Sequence, residues 1–441
     1  MISKFSTLHH AGGNMNPTVR KTWRTATLWI AAVAMLGLVL AACEKEQQRT
    51  ADGQEIRELV IGLQCDRSGP TQTAGPFLCT GFHDYVKLFN KNQTLGPNVR
   101  LRVMEIDHGY NVPRGMEAYE RFKEAGAVTV SLYGTPHTYA LTPKLTEDKI
   151  LGTSPGFGNA AAADGNKFPF IFPVAATYWS QGASAVKFVL DKWTGSGKPK
   201  IAYIYYDNPA GREPLDVVRS LAKREGFQLQ EYAVPPPGIE MRPQVLDIAR
   251  NYKADWVIAH LFGRAPGVSI KEFARLGYPR DRVISLVWGA SESDINVAGW
   301  DQAEGYYGLQ FAGVGSDHSV INDIKKMYQD EEKDLPKAME ISVYYNRGVF
   351  IAALHARAIQ LAVEKHGPSV TGEQVRDGME AITGFDMGGF LPPLTITRDD
   401  HEGGGWVKVY QVKGGKWVEA SDWIQGYRDV VLKLVSEAGA G

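Results

Sequence analysis

The sequence predicts an α/β protein built as two doubly wound parallel-sheet lobes. Three observations predict it. Strand-like and helix-like segments alternate through most of the chain, the order that gives a parallel sheet covered on both faces. That alternation restarts after Tyr178. Finally, about 400 residues follow an apolar N-terminal segment, too many for one ordinary core and enough for two.

The elements follow in order. Leu59-Val60-Ile61-Gly62-Leu63 is a short apolar run fit for a buried parallel strand. Leu78, Phe82, Tyr85 and Phe89 then recur at three- and four-residue spacing, one stripe of a helix. Val99, Leu101 and Val103 alternate with Arg100 and Arg102 as a strand does, and Met116, Tyr119 and Phe122 mark the next helix. Val128 to Leu132 and Lys149 to Thr153 read as the third and fourth strands. In the second set, Ser180 to Leu190 is a helix and Ile201 to Tyr205 a strand. Pro214 opens a helix to Glu225, where a missing N–H does no harm. Strands at Phe227 to Val234, Trp256 to Ala259 and Val283 to Val287 alternate with helices at Pro243 to Tyr252 and Ser269 to Leu276. A long helix is expected over Val343 to Lys365. Val407, Val409 and Gln411, then Gly414-Gly415 and Trp417, form a hairpin-like pattern.

Formal net charge is −1 and no basic cluster stands out, which argues against a nucleic-acid partner. At the N-terminus, Arg20, Lys21 and Arg24 precede a charge-free run from Ala26 to Ala42. The run is marginal for a membrane-spanning helix, which needs ~20 apolar residues. It ends in Leu40-Ala41-Ala42-Cys43, which resembles a bacterial lipobox. Residues 1–42 are thus expected to be a lipoprotein signal peptide, with lipid on Cys43; the alternative is an uncleaved anchor. Residues 43–57 read as a flexible tether. Met15 is a candidate start, because residues 1–14 do not resemble a signal peptide. Cys65 and Cys79 remain. In an oxidising compartment they form a candidate disulfide, and two buried thiols are the alternative.

Several segments together resemble the type I periplasmic solute-binding proteins of branched-chain amino-acid ABC transporters. Ser68-Gly69-Pro70 resembles that family's first binding loop, and Tyr133-Gly134-Thr135 its third-strand loop. Ser154-Pro155-Gly156 is similar to its ligand loop after the fourth strand. Tyr178 to Gln181 sits where the family crosses into its second lobe. Leu391-Pro392-Pro393-Leu394-Thr395, then Asp399-Asp400-His401, resembles a late segment of many members. The resemblance implies two lobes joined by three crossovers, near Thr177, Trp288 and Asp400, with a ligand cleft between them and hinge closure. It divides the chain into 58–177 plus 289–399 (N-terminal lobe), 178–288 plus 400–420 (C-terminal lobe) and a C-terminal extension, 421–441. It implies solute capture for an ABC permease and ATPase by a lipid-anchored monomer on the periplasmic or outer face of a bacterial membrane.

In open α/β sheets, ligands bind beyond the carboxyl ends of the strands, so the loops after strands are the candidate site. Gly156, Phe157 and Gly158 lead into Asn159 and Ala160 to Ala163, where small residues and a helix start suit a carboxylate. An ordinary turn capped by Asn159 is the alternative. Amino-acid binders of the family usually carry a hydroxyl residue at the position of Gly158, and its absence argues against an α-amino-acid ligand. Thr135 is read as a ligand donor or a local turn residue, and Ser68 as part of the near wall. His137 is read as a satisfied loop histidine. Tyr133, Tyr178, Tyr206, Phe262 and Trp288 offer rings to stack on a ligand or to pack under loops. Arg264 offers a bidentate partner to a carboxylate, or is a surface arginine. Glu240 falls near the family's acidic ammonium-binding position. So many rings favour a small organic acid or amide, aromatic ones included, over leucine or valine.

No catalytic constellation emerges. Gly195-Ser196-Gly197-Lys198 resembles a phosphate loop but is followed by Pro199. There is no His-Glu-x-x-His and no Gly-x-Ser-x-Gly. No cofactor and no metal are expected. A ligand-sensing receptor module and a cleft hydrolase are the competing readings.

Overall fold

The computed structural model describes residues 56–438, and from Arg57 on the chain is one compact unit. The expected signal peptide, Cys43 and nearly all of the tether lie outside the described residues. The tether's last residue, Arg57, already belongs to the first strand.

The first sheet has the order β2-β1-β3-β4-β5 and is parallel throughout. Its strands are β1 (Arg57–Cys65), β2 (Val99–Asp107), β3 (Ala127–Ser131), β4 (Leu151–Thr153) and β5 (Ile171–Phe172). Leu59 to Cys65 is buried without a break, as a strand covered on both faces requires. The second sheet has the order β12-β11-β10-β9-β8-β6-β7. Its parallel part is β6 (Lys200–Tyr206), β7 (Gln228–Val234), β8 (Trp256–His260), β9 (Val283–Ser285) and β10 (Tyr307–Gln310). The antiparallel strands β11 (Val407–Lys413) and β12 (Lys416–Ile424) close its edge, turning at Gly414-Gly415, where both φ angles are positive.

The long helix Ser342–His366 returns to the first lobe and packs on the helix Gly75–Lys91. Two glycines permit the approach. A Cβ on Gly81 would lie 2.1 Å from the Tyr345 carbonyl oxygen, and one on Gly348 would lie 1.9 Å from that of Leu78. Behind them, the disulfide Cys65–Cys79 ties the end of β1 to the same helix.

The chain passes between the sheets three times: between β5 and β6, after β10, and before β11. Two boundaries differ from the sequence reading. The second passage comes later than Trp288, because Tyr307–Gln310 pairs with β9 and β11 in the second sheet. Four residues with a central glycine carry too little alternation to be read as a strand. Nor is the expected extension, over its described residues 421–438, an appendage. β12 runs to Ile424, and the helix Arg428–Ala438 packs on Tyr178–Lys192, on Leu215–Glu225 and on the turn Ala160–Ala163. Among the described residues no helix is long and apolar enough to cross a membrane.

Arg428 explains why that helix is integral. Its guanidinium reaches Asp400 at 2.7 Å and also binds Glu402, which is fully buried. Glu402 in turn accepts the Thr177 N–H at 2.6 Å. One arginine therefore braces the first and third crossovers against each other. Arg428→Ala strands a buried carboxylate and is expected to cost about 3–5 kcal/mol. Urea unfolding of the purified chain measures this, and a loss below ~1 kcal/mol would contradict the bracing role.

Candidate functional site

β1 lies between β2 and β3 in the first sheet, and β6 between β7 and β8 in the second, so each sheet has a switch point there. The loops after these strands converge on one cleft. Its inner end is lined by Thr71, Thr73 and Ala74 after β1, by Tyr110 after β2 and Tyr133 after β3, and by Phe157 after β4. The rest of that lining is Tyr178 at the first crossover, Phe262-Gly263 after β8, Trp288 after β9, and Tyr344 on the long helix. No charged side chain is among them. The inner end encloses about 20 Å³. Its mouth encloses about 730 Å³ and adds Tyr206, Asn208, Ile239 and Arg264.

The rings form two contacting groups, and the first of them spans both lobes. Phe157 and Trp288 stack at 4.7 Å and 8°, and Tyr133 leans on Phe157 at 5.3 Å. Trp288 continues to Tyr344 at 6.0 Å. On the other side Phe262 meets Tyr178 at 6.5 Å and Tyr206 at 5.9 Å, both edge-on. The Trp288 indole N–H donates to the Gly156 carbonyl at 2.6 Å, which joins the second lobe to the first. Burial holds the Tyr178 phenol well above its ordinary pKa, so it stays a neutral donor.

Asp66 shapes the loop after β1. Its buried carboxylate accepts the Gly69 and Thr71 N–H groups at 2.6 and 2.9 Å and the Thr71 hydroxyl at 2.5 Å. This turns Thr71 and Thr73 into the cleft. Ser68 points elsewhere; it is exposed and hydrogen-bonds the Asp107 carboxylate. Arg67 pairs with Glu105. Of the residues read from the sequence, Tyr133, Phe157, Tyr178, Phe262 and Trp288 line the inner end, and Tyr206 and Arg264 the mouth. Arg264 is exposed and makes no ion pair among the described residues. Glu240 is exposed and outside the lining.

The small-residue loop is engaged within the protein. Gly156 gives its carbonyl to Trp288. Gly158 donates to the Thr135 hydroxyl at 3.0 Å, so Thr135 fixes two loops of one lobe and does not line the cleft. The amides beyond Gly158 bind a carboxylate, but it is Glu213 of the second lobe: Ala160 N–H donates to it at 2.7 Å and Asn159 N–H at 3.1 Å. Burial pushes the Glu213 carboxyl up to about 7, against the pull of these two amides and Tyr139.

His137 is buried, not a loop-surface residue. Its ring lies 4.1 Å from that of His108, behind Tyr110 and Tyr133. Burial pushes His108 down to about 3 and lowers His137, so both are neutral supports for the wall.

Sequence reasoning missed Thr71, Thr73, Tyr110, Tyr344 and Glu213. Tyr110 was within reach of the strand-end rule, since it follows β2 in the turn Gly109-Tyr110. Tyr344 sits in a helix and Glu213 between two helices, where that rule is silent.

A family described as periplasmic binding protein matches residues 58–416. No curated protein matches the chain. A Pseudomonas fluorescens group structure titled as an ABC transporter permease is 33% identical, with TM-score 0.80, covering 87% of this chain and 96% of that one. A Thermus thermophilus branched-chain amino-acid ABC transporter structure with bound valine is 21% identical, with TM-score 0.75, covering 86% and 99%. A fatty-acid ABC transporter substrate-binding protein from Thermomonospora curvata is 16% identical, with TM-score 0.71, covering 88% and 98%.

The ring wall makes a graded prediction. Trp288→Phe keeps the stack and loses the Gly156 bond, for about 1 kcal/mol of stability. Trp288→Ala also leaves a cavity and costs about 3–5 kcal/mol. Equal losses in denaturant unfolding would show that the stack does not carry the wall.

Proposed function

The chain belongs to the periplasmic binding protein family, and on that premise we propose that it is the extracytoplasmic solute-capturing component of an ABC importer, with a ligand that is a small organic acid or amide carrying an aromatic or apolar body. One observation carries the choice of ligand. Among the described residues the inner cleft offers seven aromatic rings and two threonine hydroxyls but no charge, and Arg264 is the one charged side chain lining the mouth.

A zwitterionic α-amino acid needs partners for an ammonium and a carboxylate. Burying either unpaired is too costly for a charge-free lining to bind it tightly. An apolar ring costs nothing of the kind. It packs at the mouth against rings such as Tyr206 and Phe262, and gains from the area it buries. A carboxylate on the same molecule then faces the mouth, where Arg264 is free to meet it. The hydroxyls of Thr71, Thr73, Tyr133 and Tyr178 set its orientation.

Capture in this reading is binding without chemistry. The lobes close on the solute, and the closed form docks on a permease with its ATPase. The chain works as a monomer held at the membrane by lipid on Cys43, with the polar segment after it as tether. Replacement Cys43→Ser is expected to release a protein that binds ligand as before but supports uptake poorly. Unchanged membrane association in cell fractionation would contradict the anchor.

Thermal-shift screening with benzoate, phenylacetate, benzamide, leucine and valine tests the ligand class. The aromatic compounds are expected to raise the melting temperature and the aliphatic amino acids to leave it unchanged; stabilisation by leucine alone would sink the reading. Calorimetry then assigns Arg264. Arg264→Ala is expected to weaken an aromatic carboxylate by about 1.5–3 kcal/mol, roughly ten- to a hundredfold in Kd, and to spare the amide.

A further inference from the structure

Outside the aromatic cleft, the lobes meet at a second place. Glu213 lies in the second lobe, between the helices Pro209–Arg212 and Leu215–Glu225. Its backbone is anchored there, because its carbonyl accepts the Trp179 indole N–H at 3.0 Å. Its carboxylate leaves that lobe. One oxygen accepts Ala160 N–H at 2.7 Å; the other accepts Asn159 N–H at 3.1 Å and the Tyr139 hydroxyl at 3.2 Å. All three donors belong to the first lobe.

The first lobe is shaped to receive this group. Asn159 takes the left-handed conformation, φ +75°, which points two successive N–H groups the same way. Such a nest binds an anion. Gly158 leaves the space: a Cβ there would lie 2.5 Å from the Glu213 carboxylate and 2.3 Å from the Thr135 methyl. The group meets three donors on two oxygens, and in its ionised form the charge-assisted bonds are stronger than neutral ones. None of these residues lines the aromatic cleft.

We infer that Glu213 is a cross-lobe latch, a tethered carboxylate that the first lobe's Asn159–Ala160 nest binds as the lobes come together and that biases capture toward the closed arrangement. It acts whatever the solute, because it touches none of the solute's walls. It also withholds that nest from a ligand carboxylate. As a positioning residue, it supplies part of the closure energy from within the chain.

The test uses small-angle scattering of the purified full-length protein, with acetate as the probe. Glu213→Ala is expected to enlarge the radius of gyration relative to wild type. Sodium acetate, which can occupy the vacated nest, is expected to restore compactness in Glu213→Ala and to leave wild type unchanged. Glu213→Gln sets an amide N–H against the nest's donors, so it is expected to open and to ignore acetate. Two results would overturn the latch: Glu213→Ala as compact as wild type, or an opened Glu213→Ala that acetate does not close. If Glu213→Ala does not fold, Tyr139→Phe carries the test. It removes one donor from an exposed ring. A shift in the same direction supports the latch, and no shift overturns it.

Discussion

Phe157 of the first lobe and Trp288 of the second lie face to face, and the rest of the cleft is arranged around that contact. The stack fixes where the ends of β4 and β9 meet. The indole N–H then locks it by binding the Gly156 carbonyl, one residue before Phe157. A stack of this kind adds about 0.5–1.5 kcal/mol beyond the area it buries, and the hydrogen bond about 1 kcal/mol. Neither is large. Together they are comparable to what a modest ligand needs to contribute to shift an equilibrium between open and closed forms.

Behind the wall stands Arg347, fully buried in the long helix. Its guanidinium lies over Phe311 at 4.6 Å, Trp288 at 5.2 Å and Tyr344 at 5.3 Å. Only Nη2 makes hydrogen bonds, to the Val287 carbonyl at 2.8 Å and to Gln310 at 2.6 Å. Burial pulls its pKa down to about 10, which still leaves it charged at neutral pH. A buried ion is costly, and the three ring faces, each worth up to ~2 kcal/mol when desolvated, offset much of that cost. The arginine thereby holds Trp288 and Tyr344 from the rear. Arg347 is not among the residues that line the cleft, so the cation supports these rings without entering it.

Much of this was legible in the sequence, for identifiable reasons. Alternation of strand and helix signals gave both lobes, because a parallel strand such as Leu59 to Cys65 is buried along most of its length and reads as an apolar run. The strand-end rule found four of the seven inner rings, since rings such as Tyr133 and Trp288 come soon after strands, and Tyr178 came from the resemblance at the first crossover. Cys65 and Cys79 were recognisable as a candidate pair. Legibility failed where structure depends on partners distant in sequence. β10 is a strand only because β9 and β11 flank it. Arg428 looked like part of a tail, and its role depends on Asp400 and Glu402 reaching it across the third crossover. The loop at Gly158 reads as a seat for a ligand carboxylate, whereas its following amides bind a carboxylate of the protein. The anion itself, Glu213, lies more than fifty residues away, and nothing in the local pattern announces it.

The central claim is that a charge-free, ring-lined cleft selects the solute. Native mass spectrometry of protein purified from its own cells, followed by release and identification of the bound solute, tests it most directly. The account predicts a small acid or amide with an aromatic or apolar body. A bound aliphatic α-amino acid such as leucine or valine would contradict it.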